Sequence, residues 1–100
     1  MDSNRSDSEP GERTRERIPV FDEQFEEDFT FLESTDKAVA ERLARLIEDT
    51  LRNPFSGVGR PEPLRHNWQG YWSRRLTREH RVIYRVTNDT VQFVSARFHY

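Results

Sequence analysis

The sequence predicts an α+β fold, a small two-layer sandwich in which a short N-terminal strand and a helical hairpin precede an antiparallel β-meander. Apolar residues repeat at helical spacing over residues 23–52, and they alternate at strand spacing after residue 70. A loop rich in glycine and proline, residues 54–63, separates the two patterns. With 100 residues, of which 33% are hydrophobic, the chain suffices for one domain with a small core.

Residues 1–17 are predicted to form a disordered tail, and residues 18–100 a folded domain. The tail is rich in Ser, Arg, Asp and Glu, and Met1 is its one apolar residue. Such a segment cannot bury enough surface to offset its ordering entropy. Residues 18–21 are a strand candidate, and Pro19 favours an edge strand or a strand start.

Two helices are predicted next. Asp22 is expected to cap the first, over about residues 23–33, with the apolar stripe Phe25, Phe29 and Leu32. Its other face carries the acids Glu23, Glu26, Glu27 and Asp28. Residues 34–36 cap a second helix over about residues 37–52, with apolar positions at Val39, Leu43, Leu46, Ile47 and Leu51. The short turn between the helices favours an antiparallel pair.

The C-terminal half predicts three strands, over residues 70–76, 80–86 and 90–100, joined by short turns. Alternation turns one side-chain set toward the helices: Trp72, Leu76, Val82, Tyr84, Val86, Val94, Ala96, Phe98 and Tyr100. Arg74 falls on this side, so we expect it to snorkel past an edge or a bulge to shift the register. The face without helices then carries Tyr71, Ser73, Arg75, Arg81, Arg85, Arg97 and His99.

Charge is unevenly distributed, although the formal net charge is only -2. Residues 18–36 carry a net charge of -7, and residues 54–100 a net charge of +5. A basic face attracts phosphate polymers or acidic partners, whereas an ordinary solvated sheet face explains the arginines about as well on composition alone. Like charges on neighbouring strands repel, and a chain end of Phe98, His99 and Tyr100 is unusual for a fraying terminus. Both observations favour anion binding.

Several classes of protein are disfavoured. The longest strictly apolar run is three residues, and the first residues lead into no apolar segment, so neither a membrane-spanning helix nor a secretory signal is expected. The sequence has no cysteine, which excludes disulfides and thiolate metal sites. We expect a soluble, cytoplasmic protein without a metal site, a cofactor or a membrane partner.

The basic face permits phosphodiester cleavage of RNA without a metal, because RNA carries its own nucleophile, the 2′-OH. Such an enzyme needs a base, cations that stabilise the phosphorane and an acid for the 5′-oxygen. His99 is the candidate acid, since imidazolium titrates near neutrality, and Arg75 and Arg81 are the candidate cations. Glu62, between Pro61 and Pro63, is the candidate base, although a solvated loop acid is the simpler interpretation of this residue alone.

Several motifs resemble those of the YoeB toxins, which belong to the RelE/ParE superfamily of bacterial toxin–antitoxin systems. They are the blocks PFSGVGRPEPL at residues 54–64, WSRR at residues 72–75 and RFHY at residues 97–100. The resemblance extends from about Ile18 to the last residue. It implies a RelE-like microbial ribonuclease fold and a ribosome-dependent endoribonuclease that cuts mRNA in the A site.

The resemblance also implies a role for individual residues. Glu62 matches the general base, His99 the general acid and Arg81 the arginine that stabilises the scissile phosphate. Tyr100 matches a tyrosine that orients the substrate. The expected substrate-binding residues are Arg75 and Arg65, and the latter stands where lysine is frequent in the family.

The implied partners are mRNA in the A site of the 70S ribosome, an acidic YefM-like antitoxin and a second copy of the chain in a homodimer. ParE-type relatives share the fold but act on DNA gyrase, so a gyrase-directed toxin or non-catalytic binding module is the alternative. A third hypothesis is a degenerate toxin retained for complex formation and repression. The combination of Glu62, Arg81 and His99 favours the ribonuclease, because a gyrase-directed relative has no need of all three.

Overall fold

The computed structural model describes residues 16–98, and its elements follow the predicted order. They are β1 (Ile18–Phe21), α1 (Glu23–Thr35), α2 (Lys37–Arg52), β2 (Glu62–Pro63), a 3-10 turn (His66–Trp68), β3 (Trp72–Arg75), β4 (Arg81–Val86) and β5 (Thr90–Phe98). The strands form one mixed sheet in the order β1-β5-β4-β3-β2. β1 runs parallel to β5, and the other neighbours are antiparallel. The predicted α+β fold is confirmed, with β1 at an edge.

The helical pair covers one face of the sheet. Asp36 alone separates α1 from α2, and its carboxylate accepts the N–H of Val39 at 3.3 Å. Asp22 occupies the predicted cap position of α1, but its carboxylate accepts a hydrogen bond from Gln92 on β5 at 2.9 Å instead of capping the helix. Among residues 16–98, no helix is long and apolar enough to cross a membrane.

The core lies between the helices and the sheet. Its buried residues are Phe25, Leu32, Ala40, Leu43, Leu46, Leu51, Leu76, Val82, Tyr84, Val91, Phe93 and Ala96. The predicted apolar positions of both helices belong to this core or pack against it. Asp28 does not lie on the exposed acidic face as predicted, because it is buried against β5.

Strand β5 departs from the regular alternation that the sequence predicts. Ile83 lies opposite Ser95 while Tyr84 lies opposite Phe93, so Val94 is an extra residue. Each such β-bulge turns the following side chains to the other face of the sheet. Phe93 therefore belongs to the core, and the prediction that Val94 fills this position is wrong.

A second bulge in β5 follows at Ala96 and Arg97. Arg81 lies opposite Phe98, which leaves Ala96 and Arg97 together opposite Val82. Phe98 therefore shares a face with Arg81 instead of pointing toward the helices as predicted. The Arg97 guanidinium lies 3.8 Å from the centre of the Phe31 ring on α1, so its predicted place on the face without helices is also wrong.

Arg74 faces the helices as predicted, but it neither snorkels nor sits at a bulge. Its side chain is fully buried and organises the loop that leads to β2. The Nε donates to the Tyr84 hydroxyl at 3.1 Å, and one guanidinium nitrogen contacts the Asp49 carboxylate at 2.7 Å. The remaining guanidinium bonds go to the backbone carbonyls of Asn53, Ser56 and Val58.

Two residues of the predicted tail, Glu16 and Arg17, lie within the described residues. Residues 1–15 lie outside them. Glu16 forms a 3.0 Å ion pair with Arg52, and Arg17 donates its backbone N–H to Leu51 and its Nε to the carbonyl of Thr87. Contacts with the domain therefore begin before Ile18.

Candidate active site

Glu62 lies on a strand and not within the loop that the sequence predicts over residues 54–63. β2 pairs with β3 so that Glu62 stands opposite Ser73. Because directly opposed residues of two strands point to the same face, the Glu62 carboxylate lies on the face that the helices leave uncovered. The flanking residues Pro61 and Pro63 are compatible with an edge strand, which is the signal that could have predicted β2.

Arg75 and Arg81 occupy the neighbouring row on the same face. Arg75 lies opposite Arg81, and Arg81 lies opposite Phe98. The Arg81 guanidinium donates to the Ser73 hydroxyl at 3.3 Å, so it leans toward the row of Glu62. From regular strand spacing, the Cα atoms of Glu62 and Arg81 are roughly 12 Å apart. A carboxylate and a guanidinium on one face at this Cα separation leave room for a phosphodiester between them.

The predicted basic face is not continuously open. Ser73 and Ile83 are both fully buried, although no helix covers them. Trp68, from the segment between β2 and β3, packs edge-on against Tyr71 and against Phe98, with 5.3 Å between ring centres in each pair. We call Trp68, Tyr71 and Phe98 the aromatic cover. At one end of the face, Arg75 is exposed and Arg81 is half-buried.

Arg85 lies apart from that end. Its guanidinium is 5.6 Å from the centre of the Tyr71 ring, and the residue is exposed. The alternation of β4 predicted its face correctly, and the aromatic cover separates it from the row of Arg81.

Arg65 shares a surface cavity of about 400 Å³ with Glu62, whose lining includes His66 and Trp68. Two residues near this segment, Arg60 and His66, have positive φ angles of 53° and 59°. Such backbone costs about 1–3 kcal/mol for a residue other than glycine, and it clusters at functional sites. Neither Arg60 nor His66 was predicted as a functional residue, because neither residue type by itself predicts a left-handed backbone.

A larger cavity, of about 730 Å³, opens between α2, the loop at residues 58–60 and the turn after β3. Its lining contains six arginines: Arg42, Arg45, Arg52, Arg60, Arg75 and Arg78. We call it the arginine cleft. Of its two acids, Glu48 and Asp49, the latter is bound to Arg74. Because Arg75 borders both the cleft and the row of Arg81, one positive surface continues from the cleft to the site.

The groups that support the loop keep one protonation state near neutral pH. Burial by itself raises the pKa of the Asp49 carboxyl, but hydrogen bonds from Arg74 and from the N–H of Val58, with the Arg74 charge, outweigh it and lower the pKa below 3.8. Burial raises the pKa of the Tyr84 hydroxyl above its ordinary value. The Asp49 carboxyl is therefore ionised and the Tyr84 hydroxyl neutral near neutral pH.

The structure thus brings Glu62, Arg75 and Arg81 to one face, with Arg65 beside Glu62. His99 and Tyr100 lie outside the described residues, and they follow Phe98, whose partner across the ladder is Arg81. Within residues 16–98, no three His, Asp or Glu side chains come together in a way that could hold a metal ion.

Comparison with known proteins finds a matching family model and several sequence relatives. Residues 21–100 match the family model described as YoeB-like toxin of bacterial type II toxin-antitoxin system. Toxin YoeB of Escherichia coli K12 is 44% identical over 81 residues, which cover 81% of this chain and 96% of the relative. Toxin RelK of Mycobacterium tuberculosis H37Rv is 49% identical over 80 residues, which cover 80% and 94%.

Solved structures agree with the sequence relatives. A YoeB/ParE toxin from Agrobacterium tumefaciens superposes with a TM-score of 0.79 at 40% identity, and the match covers 83% of this chain and 99% of that one. The toxin in a heterotetrameric YoeB-YefM toxin-antitoxin complex from Staphylococcus aureus superposes with a TM-score of 0.76 at 32% identity, covering 86% and 100%. A YoeB dimer from the same organism gives a TM-score of 0.79 at 32% identity, with the same coverage.

Proposed function

Because the chain belongs to the YoeB-like toxins of bacterial type II toxin-antitoxin systems, we propose that it is a ribosome-dependent endoribonuclease that cuts mRNA in the A site of the 70S ribosome. The observation that carries this proposal is the shared face of Glu62 and Arg81, in adjacent rows of one sheet, with the Arg81 guanidinium inclined toward the row of Glu62. A carboxylate and a cation in this arrangement suit a reaction that needs a proton acceptor beside a phosphate.

In the proposed mechanism, Glu62 removes the proton of the 2′-OH, whose oxygen attacks the adjacent phosphorus. Arg81, with Arg75, stabilises the negative charge of the phosphorane. His99 protonates the 5′-oxygen as its bond to phosphorus breaks, and Tyr100 orients the substrate. The products are a 2′,3′-cyclic phosphate and a free 5′-OH. All proton transfers use side chains, so the mechanism requires no metal ion and no cofactor.

Two features of the described surface support binding of an RNA chain. The arginine cleft meets the site at Arg75, and Arg65 stands beside Glu62 in the smaller cavity. Arginine forks suit bidentate contacts with phosphate, and such contacts contribute affinity that is independent of base sequence. We propose that Arg65 and the cleft hold phosphates on either side of the cleaved bond.

We also propose that an acidic, YefM-like antitoxin neutralises the toxin in the cytoplasm by folding over Arg75, Arg81 and the C-terminus. The charge of the arginine cleft complements an acidic segment, and a related toxin has been solved in a YoeB-YefM complex. A homodimer is proposed by analogy with the related YoeB dimer.

The test is single-turnover cleavage of mRNA on programmed ribosomes. Glu62→Gln, Arg81→Ala and His99→Gln should each bind ribosomes nearly as well as the wild type and cleave at least roughly a hundredfold more slowly. Arg85→Ala removes a cation from the same face beyond the aromatic cover, and it should cleave at nearly the wild-type rate. An mRNA with a 2′-deoxy nucleotide at the cleavage site should remain intact.

Two results would overturn the proposal. Undiminished cutting of the deoxy substrate would exclude attack by the 2′-OH and with it the roles of Glu62 and His99. A wild-type protein that leaves mRNA intact on ribosomes but inhibits DNA gyrase would establish the gyrase-directed alternative.

A further inference from the structure

The segment between β2 and β3 places an aromatic side chain at the wall of the cavity that contains Glu62. This cavity, of about 400 Å³, is lined by residues 62–68. Trp68 belongs to the lining, and its indole also packs against Tyr71 and Phe98 in the aromatic cover. The indole therefore contacts the cover and borders the cavity at once.

Backbone hydrogen bonds hold this segment in one conformation. The N–H of Leu64 donates to the carbonyl of Tyr71 at 2.8 Å, and the N–H of Tyr71 donates to the carbonyl of Trp68 at 3.0 Å. Between them, the N–H of Trp68 donates to the carbonyl of Arg65 at 3.0 Å. The Leu64 side chain is buried and anchors the start of the segment. A side chain that is already fixed in this way loses little conformational entropy when a ligand stacks on it, and such preorganisation favours binding.

The polar residues of the cavity suit a nucleotide. The side chains of Arg65, His66 and Asn67 are exposed, and all three residues line the cavity. Arginine binds phosphate, and an asparagine amide offers both a donor and an acceptor to the edge of a base. The backbone of His66 is left-handed, with a φ of 59°, and strain of this kind clusters at functional sites. A flat aromatic surface bordered by these groups matches a base that is joined to a phosphate.

The position of Glu62 identifies which nucleotide this is. In the proposed mechanism, Glu62 takes the proton from the 2′-OH of the nucleotide on the 5′ side of the cleaved bond. The same ribose carries the base of that nucleotide, so a ribose held at Glu62 brings its own base to the cavity. A volume of about 400 Å³ lies within the range of small-ligand sites and accommodates one nucleoside.

We propose that Trp68 is a stacking platform for the base of the nucleotide on the 5′ side of the cleaved bond. This inference rests on the proposed function and adds a base contact to it. Every base has a π-face, so stacking on the indole contributes affinity with little selectivity for sequence. Trp68 takes no part in proton transfer, and its role is to hold the ribose of the attacking 2′-OH beside Glu62.

Nucleotide binding to the free wild-type toxin tests the platform without cleavage. Adenosine 3′-monophosphate carries the base, the 2′-OH and the phosphate that the proposal places in the cavity. In a two-dimensional NMR titration, it should shift the indole N–H signal of Trp68 in a saturable way at millimolar concentrations, because one stacked base and one phosphate support only weak binding. Ribose 5-phosphate, which has no base, should leave that signal in place.

The second tryptophan of the sequence is the internal control for this titration. Trp72 packs against the core and against Phe55, on the face of the sheet that the helices cover. Its indole signal should not move. Failure of the nucleotide to shift the Trp68 signal, or equal shifts of Trp68 and Trp72, would overturn the proposal.

Cleavage on programmed ribosomes measures what the stack contributes. Trp68→Leu keeps an apolar side chain against the aromatic cover but has no aromatic face, whereas Trp68→Phe keeps a ring. The kcat/KM of Trp68→Leu should fall roughly 5- to 150-fold, the range for loss of one base–aromatic stack, and Trp68→Phe should recover most of that loss. Phe55→Leu removes an exposed aromatic ring elsewhere and should cleave at nearly the wild-type rate. A Trp68→Leu variant as fast as the wild type would overturn the proposal.

An mRNA with an abasic nucleotide on the 5′ side of the cleaved bond separates stacking from stability. Wild type and Trp68→Leu should cleave this mRNA at equal rates, because no base remains to stack and the two losses do not multiply. If Trp68→Leu is slower than the wild type by the same factor on both mRNAs, Trp68 only supports the fold and the proposal is overturned. If Trp68→Leu fails to fold, the titration of the wild type still decides. A Trp68 signal that responds to the nucleotide in a protein that cleaves no mRNA would support the platform and refute the proposed function.

Discussion

Replacement of Arg74 by methionine should remove the main support of the loop between α2 and β2. The loss can be worked from its contacts, because three backbone carbonyls and the Asp49 carboxylate each lose a donor. At about 1 kcal/mol for each lost hydrogen bond, the carbonyls alone account for about 3 kcal/mol. The partly exposed Asp49 adds less than a fully buried charge would. We therefore expect the free energy of unfolding to fall by about 3–5 kcal/mol, the range measured when one partner of a buried ion pair is removed.

Urea denaturation followed by circular dichroism measures this loss, with Arg78→Met as the matched control on an exposed arginine of the same cleft. Thermal unfolding should show a Tm at least about 12 °C lower for Arg74→Met, whereas Arg78→Met should change little. Arg74→Lys should fall between the two, because an ammonium keeps the charge and cannot reach all five acceptors from one fork. If Arg74→Met and Arg78→Met agree within about 1 kcal/mol, the loop is not held by the buried guanidinium and the reasoning is refuted.

Four further predictions address other parts of the molecule. The folded pKa of Asp49 lies below its ordinary value of 3.8, so above pH 3.8 its ion pair with Arg74 should contribute its full stabilisation. This stabilisation should be lost as the pH falls through the folded pKa. Asp49→Asn should therefore flatten the acid limb of a curve of unfolding free energy against pH. Arg65→Ala should weaken ribosome or substrate binding with a smaller effect on the bound cleavage rate, and an equal loss in both would assign it a catalytic part. Deletion of residues 2–15 should leave Tm within error, whereas deletion through Arg17 should lower it, because two hydrogen bonds to Leu51 and Thr87 are lost. Co-expression with the adjacent small open reading frame should yield a stable complex that does not cleave mRNA, and failure to form any complex would refute the antitoxin prediction.

Much of the fold follows from periodicity alone. The helical spacing of Leu43, Leu46 and Leu51 and the alternation of β3 and β4 are local properties, so the sequence determined both helices and the face that carries Arg75 and Arg81. The aromatic cover was not predictable in the same way. Trp68 and Phe98 are thirty positions apart in the chain, and only the folded sheet brings their rings together.

Two charged residues show most clearly what the sequence by itself left open. Asp28 lies among exposed acids in sequence, and Arg74 among other arginines, so nothing local distinguishes either from a solvated side chain. Their burial depends on partners far away in the chain, since Asp28 binds the N–H of Ala96 and Arg74 binds Asp49. Alternation is set by the geometry of a single strand, whereas a bulge persists only where another element satisfies the N–H groups that it frees. The sequence therefore determined the face of Arg81, while the tertiary contact with α1 decided that Phe98 would join it.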